Sequence, residues 1–493
     1  MKKYIHLLFI LIMIFVLTSC SNKNDDPEYY NDLGEHQEIL TVVLSPDYAP
    51  YEFISDVTKT GYKKYAGADV EVAKFIAKEL GYKLKINSAD FNLCPTEVNG
   101  GKADISISGF SWTPSRAENY ELSKTYFAEG DGKQQLLINK DNLTKFSSIN
   151  DLNNPSIKVA AQGGSLQDEL VDAYLPNATK ENFDSIDEAL QYLKNGKYDA
   201  IALSEHTIEI SCAGNENFTI VPEDFPTPEA GMVVLAKKGN TELISKINTV
   251  IDKIVEQNLY ATWIEEAKEF AKENYFDGAS NIFKIITTYM PTLLKGLGIT
   301  LLLSLLTVVF GAILGFFICT LTLSKNKLVK FIGQTYIEVI RGIPLLLQLF
   351  VIYLALPSTV SKFFAATLAL VINSGAYVSE IIRGGILAVD KGQTEAARSL
   401  GLNKTQTMFK IVLPQAIKNI LPSIGNEYVT VIKETSLASS FYLGELMTAQ
   451  ALIGAATYLY LEAYIVVAIF YFITTFTISK LIKLLEGAMN AND

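Results

Sequence analysis

Residues 395–414 read Glu-Ala-Ala-Arg-Ser-Leu-Gly-Leu-Asn-Lys-Thr-Gln-Thr-Met-Phe-Lys-Ile-Val-Leu-Pro. Glu395 to Leu400 suits a short helix, and Gly401 can take the left-handed conformation that ends one. Asn403 can cap a following helix, with Gln406 three residues on as its capping-box partner. This polar stretch lies between long apolar runs. The pattern predicts a rigid helix–turn–helix projecting from an all-α membrane bundle.

The apolar runs set the size of that bundle. Residues 296–324 carry no charge, and at about 1.5 Å per residue they can cross a bilayer. Residues 343–361, 363–379 and 463–479 are also uncharged. Residues 419–443 contain Glu427, Lys433 and Glu434, so that segment should face the bundle interior or a polar path. The expectation is five spans. Lys325, Lys327 and Lys330 follow the first span, and Lys391, Arg398, Lys404 and Lys410 follow the third. Positive loops face the cytoplasm, which puts the N-terminal region outside and the C-terminus inside.

The rest of the chain is of a different kind. The protein has 493 residues and 49% hydrophobic content, with a mean hydropathy of +0.21, a mixture suited to a water-soluble part joined to a membrane part. A net charge of −11 argues against nucleic acid as a partner. The sequence predicts an external α/β domain over residues 38–273. Ile39–Leu44 reads as a strand, and Ile105, Ile107, Val159 and Ile201 mark further strand cores. Val72, Ile76 and Leu80 share a helical face that Gly81 ends. Leu243, Ile247, Val250, Ile251 and Ile254 form a second stripe. Alternation of this kind predicts parallel α/β layers in two lobes.

Lys2 and Lys3 precede an apolar run over residues 7–16, which ends in Leu17-Thr18-Ser19-Cys20. The run is too short to span a bilayer and suits a secretion signal. The small residues before Cys20 resemble a bacterial lipobox, so residues 1–20 read as a lipoprotein signal with Cys20 as the lipidation site. Residues 21–37 read as a polar linker and 274–292 as a connector to a permease domain over 293–487. With 3 His and 4 Cys scattered widely, no metal-ligand spacing and no nucleophile–base arrangement emerges. Cys94 and Cys212 could pair, although buried free thiols suit them better.

The pattern E-A-A-x3-G-x9-I-x-L-P, from Glu395, Ala396 and Ala397 through Gly401 to Pro414, resembles the coupling loop of bacterial ABC importer permeases. The resemblance implies that residues 391–414 dock in a groove of an ATPase subunit. Residues 341–349 (RGIPLLLQL), 377–385 (YVSEIIRGG) and 433–437 (KETSL) resemble the signature of polar amino acid permeases. This chain contains no phosphate-binding loop of its own. The resemblance therefore implies that ATP and magnesium belong to a partner ATPase, that this chain binds no cofactor, and that the permease is a homodimer.

The soluble region is similar to the family's extracellular amino-acid-binding proteins. Residues 101–105 (GKADI) lead into 109–116 (GFSWTPSR). The resemblance implies that Arg116 forks onto the ligand α-carboxylate, with Gly109 and Ser111 completing that site. A guanidinium offers two parallel charge-assisted bonds matched to a carboxylate. Gln162, Gly163, Gly164 and Ser165 end a strand and open a helix, whose N-terminus the family uses for the carboxylate from the other side. Tyr48 and Phe91 match the aromatic sandwich around the ligand side chain. Ser45 stands where the family has an Asp for a cationic side chain. Ser204 stands where it has an Asp for the ammonium; Glu205 could take that role by a one-residue shift, and otherwise aromatic faces hold the ammonium or the ligand is not a standard α-amino acid. These departures favour a neutral polar ligand such as glutamine over arginine.

The implied fold is a two-lobed, periplasmic-binding-protein-like α/β domain followed by an all-α ABC importer permease. The implied function is ATP-dependent amino acid import. A ligand-gated channel would need a pore-loop filter, and a transmembrane sensor would need a cytoplasmic signalling domain; neither is evident in the sequence.

Overall fold

The computed structural model describes residues 28–32, 37–57, 59–127, 133–183, 185–213, 217–226, 231–273, 281–357, 359–457 and 459–490. Cys20, the signal and most of the linker lie outside the described residues. The chain divides into two compact units. One runs to Thr292 and includes Gln450–Val466; the other holds Leu293–Ala449 and the chain from Val467.

The first unit has two lobes, each built on a five-stranded sheet. The first lobe's sheet uses β1 (Ile39–Leu44), β5 (Lys83–Ser88), β6 (Ile105–Ser106), β7 (Tyr120–Leu122) and β13 (Leu235–Lys237), in the order β5-β1-β6-β13-β7. Short strands β2 (Asp47–Tyr48), β3 (Glu52–Ile54) and β4 (Tyr65–Ala66) form a flap beside it. The second lobe's sheet uses β8 (Gln134–Asn139), β9 (Lys158–Gln162), β10 (Thr179–Phe183), β11 (Ala200–Ser204) and β12 (Phe218–Ile220), in the order β10-β9-β11-β8-β12.

The expected parallel layers are present, with antiparallel strands added to each sheet. Strands β1, β5 and β6 pair in parallel, as do β9, β10 and β11, but β13 and β8 run antiparallel to their neighbours. The reason is the path of the chain. Strand β13 belongs to the first lobe yet follows the whole second lobe, so the polypeptide passes between lobes twice. Phe127, on the outgoing pass, bridges Met232 on the return. Such paired crossings form a hinge.

Local physics explains the elements. Helix Ala68–Leu80 buries Val70, Val72, Ala73 and Ile76, and Gly81 at φ 74° closes it by donating to the Ala77 and Lys78 carbonyls. Helix Thr241–Glu256 buries Ile247, Val250, Ile251 and Ile254, with Ile244 rather than Leu243 as its first buried residue. Leu136, Val159, Leu170 and Ala202 pack one core; Val43, Phe110, Val233 and Leu235 pack the other. Cys94 and Cys212 are free thiols, the second only half-buried.

The second unit is helical, and its first and last long helices begin in stretches counted with the first. Ile282–Thr322, Lys362–Leu387 and Tyr460–Gly487 are long and apolar enough to cross a membrane, and a fourth span is reached if a bent pair counts as one. Four of the expected five spans are thus accounted for if the bent pair counts, and the fifth is the polar segment expected to face the bundle interior. Residues 343–361 are not one span, because Lys327–Gly342 and Leu345–Ala355 meet at 104°. Pro344 pushes Ile343 into extended backbone at φ −104°, as the residue before a proline prefers. Gln348 supports the break: its Nε2 donates to the carbonyls of Ile340 (2.7 Å) and Ile343 (2.8 Å). Helix Leu413–Glu434 is long enough but too polar to pass as an apolar span. Its Glu427 accepts a 2.9 Å hydrogen bond from Ser374 on helix Lys362–Leu387, which turns the carboxylate toward a neighbouring helix. Helix Asn281–Thr322 also begins inside the stretch read as a connector.

Candidate functional site

The loop that follows β6 forms one wall of the cleft. Gly109 sits at φ +57°, and a Cβ there would lie 2.8 Å from the Tyr48 ring. Only glycine fits that close approach. Its N–H donates to Asp69 Oδ2 at 2.7 Å. Thr113 caps the short helix Pro114–Asn119 by accepting from Arg116 N. That cap fixes where the Arg116 side chain starts. The guanidinium donates to the Ser111 carbonyl at 2.5 Å and lies 5.1 Å over the Phe110 ring. Phe110 in turn stacks on Phe91 at 4.8 Å. Arg116 Nη2 also reaches the Gly164 carbonyl of the second lobe at 2.7 Å.

The opposite wall is the turn after β9. Gln162 and Ser165 are buried at 6% and 4% exposure. Ser165 caps helix Leu166–Tyr174 by accepting from Asp168 N at 3.2 Å. Gly164 N donates to Asp168 Oδ2 at 3.1 Å. Burial works against the Asp168 charge, but hydrogen bonds from Lys180, Asn182 and Gly164 hold its carboxyl below the usual range.

Ser204 ends β11 in a chain of hydroxyls. Tyr51 OH donates to Ser204 Oγ at 3.3 Å, Ser204 Oγ to Thr207 Oγ1 at 3.0 Å, and Thr207 Oγ1 to the Ala49 carbonyl at 3.2 Å. Glu205 is turned to its own lobe, where its carboxylate accepts from Lys133 N at 3.3 Å. Of the residues the sequence singled out, Gly109 lies against Tyr48, Phe91 stacks on Phe110 under Arg116, and Arg116 bonds the Ser111 and Gly164 carbonyls; Gln162 and Ser165 flank Gly164 in its turn, Ser204 bonds Tyr51, and Glu205 bonds Lys133 N. Among the described residues no group of three His, Cys, Asp or Glu is placed to hold a metal ion.

Four residues escaped the sequence reading. Asp69 and Glu52 are fully buried behind the Gly109 loop. Asp69 also accepts from Tyr260 OH (2.8 Å) and Tyr126 OH (3.0 Å), and Glu52 accepts from Ser108 Oγ. Burial pushes Asp69 up to about 6 despite these bonds. Burial and the Asp69 charge push Glu52 well above the usual range, so Glu52 keeps its proton longer as the pair titrates. Tyr51 packs on Tyr48 at 4.7 Å. His206 is 8% exposed, between Tyr51 and Phe127, and its ring nitrogens lack hydrogen-bond partners among the described residues. A legible signal existed for Asp69 alone: a carboxylate inside an apolar helical stripe.

In the membrane unit, Lys391–Ser399 and Lys404–Thr407 form the helix–turn–helix. Gly401 takes φ +90°, and Asn403 and Gln406 make both capping-box bonds, at 2.8 and 2.9 Å. Ala397 is buried, whereas Glu395 and Ala396 are exposed. Pro414 lies in the first turn of helix Leu413–Glu434, just after a π-helical turn over Met408–Val412. Proline cannot donate to the carbonyl four residues back, so the chain widens there.

A two-lobed cleft domain in one chain with membrane helices and a capped helix–turn–helix has the makeup of a solute-binding transporter subunit. Residues 307–490 match the family of binding-protein-dependent transport system inner membrane components, and residues 40–266 match bacterial extracellular solute-binding proteins, family 3. The arginine transport system permease protein ArtQ of Bacillus subtilis is 40% identical over 215 residues, covering 43% of this chain and 98% of that protein. A putative glutamine transport system permease protein GlnP of Rickettsia bellii is 39% identical over 212 residues, covering 42% and 97%. Among solved structures, the amino acid ABC transporter substrate-binding protein AbpA of Streptococcus pneumoniae, bound to L-arginine, is 30% identical with a TM-score of 0.44. It covers 47% of this chain and 95% of that one. The chain belongs to the binding-protein-dependent ABC importer permease family, with a family 3 solute-binding domain fused ahead of the permease. It is an integral protein of the cytoplasmic membrane.

Proposed function

We propose that this chain imports a polar amino acid, serving as both solute-binding and permease subunit of an ABC transporter. The observation that carries this reading is Arg116, whose guanidinium bonds a carbonyl of each lobe, Ser111 O and Gly164 O. A ligand carboxylate entering there takes charge-assisted bonds in place of a neutral carbonyl. Ligand contacts with both lobes favour closure. Relatives named for arginine and glutamine transport support the amino acid class. Ser45, whose hydroxyl donates to Asp47 at 2.8 Å, stands where a cationic ligand side chain would need a carboxylate, so a glutamine-like ligand fits better. Its ammonium rests on Ser204 and on the faces of Tyr48 and Phe91.

The binding domain lies outside the cell, and the C-terminus and residues 391–414 lie inside. Cys20 carries the lipid. A separate ATPase, docked on residues 391–414, binds ATP and magnesium, and two copies of this chain line the path. Fusion raises the effective concentration of the binding domain at its own gate. Calorimetry of the full chain in nanodiscs against the twenty amino acids tests the reading. It predicts one or a few neutral polar ligands at micromolar affinity. Binding to none below the millimolar range overturns it.

A further inference from the structure

A cavity of about 520 Å³ lies between the end of helix Lys362–Leu387 and the helix–turn–helix. Leu387, Val389, Met408 and Val412 give it an apolar wall, and Lys391, Arg398 and Lys404 supply its charge. None of the residues lining it is acidic. Arg398 donates to the Leu402 carbonyl, but among the described residues none of the three cations pairs with a carboxylate. Lys325 adds a fourth positive charge, and its proximity, with that of Arg398, pushes Lys404 down. Of the acids beside these cations, Asp390 is engaged as the cap of helix Lys391–Ser399, accepting from Gly392 N at 2.7 Å, and Glu395 is exposed and outside the lining.

The cavity continues directly from a membrane-spanning helix, whose last residue Leu387 is 61% exposed. Apolar wall and cationic mouth therefore meet where hydrocarbon gives way to headgroups. Free phosphate would leave the apolar wall without a partner. The opposite side of helix Lys391–Ser399 stays available for a protein. At about 100° per residue, Lys391, Thr394 and Arg398 share one face with Glu395 at its edge, and Ala396 points away from it.

We propose that this cavity holds an anionic phospholipid, its phosphate between Lys391, Arg398 and Lys404 and its upper acyl chain against Leu387, Val389 and Met408. Uncompensated basic pockets at membrane helix ends attract acidic headgroups. The proposal rests on the family reading only in placing this end of the helix at a membrane surface.

The test is native mass spectrometry of the full chain released from nanodiscs of equimolar phosphatidylglycerol and phosphatidylcholine, with ligand binding measured in parallel by calorimetry. Phosphatidylglycerol should be retained preferentially. The double variant Lys391→Gln/Lys404→Gln should cut that preference by on the order of thirtyfold, and Lys327→Gln/Lys330→Gln should keep it. Both variants should bind the amino acid ligand as the parent does. Equal retention of the two lipids, or equal loss in both double variants, overturns the proposal. So does displacement of the lipid by millimolar glycerol phosphate or by the ATPase subunit, which would assign the cavity to a small anion or to an acidic protein segment. Lipid preference without amino acid binding would leave this proposal standing and sink the transport reading instead.

Discussion

Arg116 of the first lobe donates to the Gly164 carbonyl of the second at 2.7 Å, so one guanidinium joins both walls of the cleft. Its position is set from three sides: the Thr113 cap, the Ser111 carbonyl and the Phe110 face. Arg116→Ala removes the cation and the bridge together. It should weaken ligand binding by at least about thirtyfold, on the order of 2 kcal/mol or more. Arg116→Lys should recover little, because an ammonium lacks the planar fork. Calorimetry on the full chain measures both, and undiminished binding by the alanine variant would remove Arg116 from the site.

Gly109 is the second constraint on that wall. A methyl group at φ +57° meets the Tyr48 ring at 2.8 Å, so Gly109→Ala must displace Tyr48 or the loop. The expected cost is about 1–2 kcal/mol of domain stability, with weaker ligand binding as Tyr48 leaves its place. Trp112 and Trp263, the two tryptophans of the chain, both lie in the binding domain. Denaturation followed by tryptophan fluorescence therefore reports on that domain within the intact protein.

Much of this was readable from residue order. Gly401, Asn403 and Gln406 stated their turn and cap in three letters, because capping is local chemistry. The amphipathic stripes of helices Ala68–Leu80 and Thr241–Glu256 were equally plain. Strand direction was not, since the antiparallel placement of β13 depends on where the chain returns after the second lobe. The break at Pro344 carried its own signal, the proline, but the lack of any charge across residues 343–361 reads as one continuous span. Glu52 and Asp69 were missed because their partners, Ser108, Gly109, Tyr126 and Tyr260, lie far away in sequence. Glu205 was considered as a substitute for an acid at Ser204, but its side chain bonds to Lys133 N instead.

The buried carboxyl pair makes a pH prediction. Asp69 titrates near 6 in the folded domain, up from 3.8, and Glu52 is raised further above its ordinary value. An acid raised on folding binds more protons in the folded state. Its stabilising contribution is fully present below about pH 4 and is lost as pH rises through about 6. Asp69→Asn removes that loss while keeping an acceptor for Gly109 N. Between pH 4 and 7 the parent should lose on the order of 2–3 kcal/mol relative to the variant. Parallel denaturation curves with no pH-dependent difference would show that the pair does not titrate in this window.

The turn at Gly401 separates coupling from capture. Its φ of +90° lies where a β-branched residue is strained, and no neighbouring atom would contact an added Cβ. Gly401→Val therefore acts through the backbone alone, at a cost of about 1–3 kcal/mol. The strain falls on the hydrogen bonds from Gly401 N to the Arg398 carbonyl and from Leu402 N to the Ala397 carbonyl, which close helix Lys391–Ser399. The helix–turn–helix should loosen while the cleft residues keep their geometry. Full-chain calorimetry should show unchanged ligand affinity, and proteoliposomes containing the partner ATPase should lose most ATP-driven uptake. Reversing the charge at exposed Glu395 should give the same split between binding and transport. Full uptake by both variants would take the energy-coupling role away from residues 391–414, and loss of binding in either would mean that the damage is not confined to the turn.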